Sequence, residues 1–173
     1  MSSGKKPVMS NLSHIIVNTA EQRLYCIDHE GNILTEYPVS TSINGTGNQN
    51  GSYKTPLGKH SIAQKIGKGC AINEVFIGRQ PQGVLEQLVL AGTDLPQDII
   101  TSRILWLQGM EEGVNKGEGI DSFQRYIYIH GTNEEDKIGQ PASHGCVRMR
   151  NKDVIELFDL VDEGCKVFIQ ETL

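Results

Sequence analysis

Nineteen glycines in 173 residues constrain this chain more than any other feature. Glycine weakens a helix interior by roughly 0.5–1 kcal/mol relative to alanine, so a chain this rich in it does not build a helical bundle. Short apolar runs separated by glycine-, asparagine- and serine-rich stretches predict strands joined by many turns. The length suits one domain that buries its own core without metal or disulfide staples, and no repeat or linker divides it. We therefore expect a mainly β domain with one packed helix.

Residues 1–13 read as a flexible tail and 14–173 as the domain. Apolar runs at 15–17, 23–27 and 33–39 predict an opening meander, with a turn at His29-Glu30-Gly31-Asn32. The polar segment 40–54 reads as a long loop closed by the turn Thr55-Pro56-Leu57-Gly58. A loop of that length within a compact domain is more often functional than idle. Between 63 and 100 the pattern is weakest: 84–90 fits a strand or a short helix, and 96–100 fits the opening of a helical turn. Residues 104–107 form a short buried run, and 109–119 a loop with four glycines. The run RYIYIH at 125–130 is the clearest strand, ending on His130. The clearest helix follows a second polar loop. Asn151 suits its N-cap, Asp153 its positive first turn and Gly164 its stop. Val154, Leu157, Phe158 and Val161 fall on one apolar stripe, and 165–169 is a last strand.

A net charge of −5 with no stripe of Lys or Arg excludes nucleic acid as a partner. No apolar run is long enough to span a bilayer. Lys5 and Lys6 are not followed by a signal-peptide run, which leaves cytoplasmic retention, another export route or a missing leader as alternatives. The four cysteines, Cys26, Cys70, Cys146 and Cys165, form no C-x-x-C pair. Cys26 and Cys165 read as small buried strand residues.

Chemistry concentrates in Ser143-His144-Gly145-Cys146-Val147-Arg148-Met149. A cysteine close to the start of a helix is expected to be activated, because the helix dipole and nearby cations favour the nucleophilic thiolate. Gly145 permits a tight turn whose amides can face a developing oxyanion. A cysteine nucleophile needs a base. His144 lies only two positions away; His130, at a strand end sixteen positions before Cys146, is the more natural partner. Arg148 is placed to meet a substrate carboxylate or to steady the turn. His130, His144 and Cys146 could also supply three metal ligands, but the spacing is unusual for zinc and no fourth ligand suggests itself.

The pattern His130-Gly131-Thr132, a loop, then S-H-G-C-V-R-M resembles the signature of the L,D-transpeptidase catalytic domain (the YkuD-type domain). Gln22-Arg23-Leu24-Tyr25, Tyr37-Pro38-Val39-Ser40 and Thr55-Pro56-Leu57-Gly58 are similar to further family blocks, so the resemblance covers about residues 14–170. It implies a β-sandwich-like domain with a helix in its C-terminal region and a capping loop, to which 109–119 would belong. It also implies Cys146 as nucleophile, His130 as base and the Gly131 carbonyl as its orienting group. Ser143, His144, Gly145 and Arg148 would form the oxyanion and substrate site. The implied partners are peptidoglycan stem peptides, a tetrapeptide donor and an amine acceptor, with covalent inhibition by carbapenems, no metal or organic cofactor, and a periplasmic or cell-envelope location. An L,D-carboxypeptidase using water, a non-catalytic peptidoglycan-binding domain and, more distantly, a thiol redox protein are the alternatives.

Overall fold

The computed structural model describes residues 11–172. Ten strands make one curled sheet. In chain order they are β1 (Leu12–Asn18), β2 (Arg23–Asp28), β3 (Ile33–Pro38), β4 (Gly58–Ile66), β5 (Glu74–Ile77), β6 (Gln80–Val84), β7 (Ile100–Gly109), β8 (Tyr128–Thr132), β9 (Val147–Met149) and β10 (Lys166–Gln170). Two helices interrupt them, α1 (Leu85–Leu90) and α2 (Asn151–Leu160). The sheet runs β3-β2-β1-β10-β4-β7-β5-β6, while β8 pairs with β7 and β9 with β8. Residues 12 and 13, placed in the tail by sequence, already belong to β1; residues 1–10 of that tail lie outside the described residues. Among the described residues no helix is long and apolar enough to cross a membrane.

The long strand β7 shows why two apolar layers exist. Its side chains alternate across the sheet, as a pleated strand requires. Leu105 and Leu107 enter the main core with Ile15, Leu24, Ile62 and Ile129. Ile104 and Trp106 face the other way into a smaller cluster with Phe76 and Tyr128. Helix α2 closes the main core with Val154, Leu157 and Phe158, all buried. Burying each such side chain contributes about 1.5–3 kcal/mol.

Several local expectations change. In segment 84–90, Val84 ends β6 and Leu85–Leu90 forms the short helix α1. Segment 96–100 forms no helix, and Ile100 opens β7 instead. The strand expected at 125–130 begins only at Tyr128 and runs on to Thr132, because 122–126 closes a turn with Arg125 N–H on Asp121 O and Tyr126 at φ +59°. Helix α2 stops at Leu160, short of Gly164. Gly164, at φ +94°, instead turns the chain so that its N–H reaches Ile62 O at 2.8 Å. Cys26 is a fully buried strand residue as expected, whereas Cys165 is half-buried just before β10.

Candidate active site

Parallel pairing of β8 with β9 brings the chemical residues together. Ile129 pairs with Val147, His130 with Arg148 and Gly131 with Met149. Alternation then sends Ile127, Ile129, Val147 and Met149 into the main core, and leaves Tyr128, His130, Cys146 and Arg148 on the opposite face. Cys146 packs there against the cluster holding Trp106 and Tyr128.

His130 is buried, and its Nδ1 lies 2.6 Å from Gly131 O. A carbonyl oxygen only accepts, so Nδ1 carries the proton and Nε2 keeps its lone pair. Burial lowers the pKa of His130 below the usual imidazole value, with the Gly131 carbonyl opposing it. Gly131 has no room for a side chain: a Cβ would stand 2.5 Å from Thr101 O and 2.7 Å from Asn151 Oδ1.

Cys146 does not sit at a helix start. Strand β9 and Arg150 separate it from α2, so the macrodipole, which fades within a turn, does not act on it. Its S–H donates to Tyr126 O at 3.4 Å, and Tyr128 N–H donates to Sγ at 3.3 Å. Burial pushes the thiol up to about 12, against the lowering influence of Tyr128 N–H, Arg148 and Arg125. Desolvation thus opposes the thiolate expected from sequence, while Tyr128 N–H and the two arginines favour it.

The turn before Cys146 is built by Ser143. Its Oγ accepts from Gly145 N–H at 3.3 Å and donates to Cys146 O at 2.6 Å. Gly145 has φ +135°, a conformation that side chains rarely adopt. His144 is exposed, with Nδ1 3.6 Å from Asp98 Oδ2. Arg148 is buried between Asp98, at 2.7 Å, and Glu134, at 3.0 Å. Of the two roles expected for Arg148, the contacts are those of a group that steadies the turn.

Beside Cys146 lies a cleft of roughly 250 Å³ lined by Asn50, Gly51, Tyr53, Arg125, Ile127 and His144. Arg125 closes its wall by donating to Lys54 O at 2.6 Å. The loop 40–54 thus contributes directly, while 109–119 reaches the cleft wall through Gly119 O, which accepts from Asn50 N–H at 2.7 Å. Sequence reading missed Asp98, Glu134, Arg125 and Tyr53. No motif marks them: Asp98, Glu134 and Arg125 act through contacts across 14 to 78 positions, and Tyr53 through its place in the cleft wall. Among the described residues no group of three His, Cys, Asp or Glu side chains is arranged to hold a metal ion.

The sequence and the fold have known counterparts. A sequence model of the L,D-transpeptidase catalytic domain matches residues 13–169. The Escherichia coli (strain K12) protein named Probable L,D-transpeptidase YcfS is 30% identical over 161 residues, covering 91% of this chain and 44% of its own length. The chain therefore spans less than half of that relative. An L,D-transpeptidase from Mycobacterium smegmatis shares the fold, with a TM-score of 0.53 at 14% identity over 92% of this chain and 59% of its own. The L,D-transpeptidase LdtMt1, solved in complex with imipenem, gives 0.52 at 15% identity over 90% and 57%.

Proposed function

The chain belongs to the L,D-transpeptidase catalytic-domain family, and from that premise we propose that it is a peptidoglycan transpeptidase whose acyl group is carried by Cys146. Cys146 Sγ attacks the carbonyl carbon of the third residue of a tetrapeptide stem, and the S–H proton passes to His130 Nε2. The tetrahedral intermediate collapses as the bond to the terminal D-alanine nitrogen breaks, and His130 returns the proton to that departing amine. The amine of a second stem then attacks the thioester, its proton goes through His130 to the leaving sulfur, and a 3→3 cross-link forms. One covalent intermediate divides a difficult amide exchange into two easier steps.

The observation that carries this reading is the imidazole of His130 fixed on Gly131 O at 2.6 Å, on the same sheet face as Cys146. Desolvation favours the neutral form of both groups. Proton transfer is therefore coupled to attack rather than completed before it. The amides around His144 and Gly145 form the oxyanion site, held in shape by Ser143 and by the Asp98–Arg148 pair. The substrate lies outside the cytoplasmic membrane, so a periplasmic or cell-envelope location follows from this reading. Carbapenems, acting through the same sulfur, are expected to acylate Cys146.

Product analysis tests the reading. Incubation with disaccharide-tetrapeptide and an amine acceptor should give the cross-linked or amine-exchanged product and free D-alanine. Cys146→Ala should abolish both, and His130→Ala should slow them by about 10²–10⁴-fold. A tripeptide product alone, whatever the acceptor, would replace the transferase with a carboxypeptidase.

A further inference from the structure

Two arginines act on the Cys146 sulfur, and both are occupied; a third reaches the aromatic side chains beside it. Arg125 spends its guanidinium on Lys54 O, Gly47 O and Ser52 Oγ. Arg148 is closed between Asp98 and Glu134. Arg79 differs. It is the second residue of the two-residue turn joining β5 to β6, where Gly78 and Arg79 have φ +55° and +66°. That is the geometry of a type I′ hairpin, in a backbone region that disfavours an arginine.

The turn carries the side chain across onto an aromatic wall. The Arg79 guanidinium lies 4.7 Å from the centre of the Trp106 ring and 5.4 Å from that of Tyr126, and its Nη1 donates to the Tyr128 hydroxyl at 3.0 Å. Tyr126 and Tyr128 are the residues whose backbone holds Cys146 Sγ. Neither Arg79 nor Trp106 lines the cleft on the Asn50–Arg125 side, while Cys146 packs against the cluster that holds Trp106 and Tyr128, so the wall flanks the sulfur from another side. Among the described residues Arg79 has no carboxylate partner. Stacking on rings immobilises a guanidinium while leaving its in-plane N–H fork for a carboxylate.

We propose that Arg79, seated on Trp106, Tyr126 and Tyr128, is a specificity-determining residue that binds a carboxylate of the stem peptide presented to Cys146. The proposal rests on the acyl-transfer reading for its substrate class, but its test does not need the chemistry. Trp106 is the sole tryptophan of the chain, so its emission reports on the Arg79 site. Stem tetrapeptide with free carboxylates, and the same peptide with its carboxylates converted to amides, are titrated against Cys146→Ala protein while fluorescence is followed. The free acid should give a saturable change and bind about tenfold or more tightly than the amide, the scale of a charge-assisted pair. Adding Arg79→Met should erase that preference, and Arg79→Lys should restore part of it. Equal binding of acid and amide, a preference that survives Arg79→Met, or no emission change with either peptide would overturn the proposal. Preference without any acylation of the Cys146-containing protein would remove the transferase reading and leave the Arg79 site standing. Acylation without preference would do the reverse.

Discussion

Cys146, half-buried at the edge of the cleft, is held by Tyr126 O and Tyr128 N–H. Because burial raises its pKa to about 12, the reactive thiolate fraction should climb about tenfold per pH unit through neutrality. Iodoacetamide labelling of Cys146, followed by peptide mapping, should therefore rise from pH 7 to 10 without a plateau. A plateau near pH 7 would indicate a preformed thiolate and contradict the neutral pair. The residues of the sulfur site were legible in sequence because Ser143, His144, Gly145 and Cys146 are contiguous, and because His130 ends an alternating apolar run. Asp98 and Arg125 were not legible. Asp98 acts only because its loop folds back 50 positions to meet Arg148, and Arg125 because a turn aims it at the 47–54 loop.

At the scale of elements, helix α2 was readable from its stripe of Val154, Leu157 and Phe158, but its ends were not. Asn151, expected as an N-cap, begins the helix and spends its side chain elsewhere. Its Nδ2 donates to Thr132 O at 2.9 Å, and its Oδ1 accepts from the hydroxyls of Thr101 and Ser102. The first turn is capped from outside, by Glu135 Oε2 accepting from Asn151 N–H at 2.7 Å. Ser102 can point at Asn151 because it takes φ +71° within the irregular stretch of β7 between Thr101 and Ile104, a bulge with no sequence signature. Leu157 fills the centre of the helix face and is fully buried. Leu157→Ala should cost about 2–5 kcal/mol, read as a lower urea midpoint with an unchanged m-value. A loss below about 1 kcal/mol would mean that α2 does not close the core in this way.

Across the whole molecule, alternation and glycine content announced a mainly β domain, whereas the order of strands depended on long-range pairing that local pattern does not carry. The parallel contacts of β1 with β10 and of β8 with β9 are the case in point. They tie the first strand to the last and place His130 beside the Cys146 segment. His60 adds a pH dependence to this architecture. It is buried with Nε2 2.8 Å from Ser122 Oγ, linking β4 to the connection before β8, and burial lowers its pKa to about 4. Between about 6.5 and 4 the unfolded chain binds a proton at this site that the folded one does not, so stability falls as pH drops through that window. The urea midpoint should decline from pH 7 to 4.5, and a flat profile would contradict a neutral buried His60. Acylation of the Cys146 sulfur is tested most directly by intact mass and peptide mapping after incubation with disaccharide-tetrapeptide. An acyl adduct on Cys146 is expected, with one D-alanine released per adduct, and neither in Cys146→Ala protein. An adduct on another residue, or D-alanine release that survives Cys146→Ala, would contradict it.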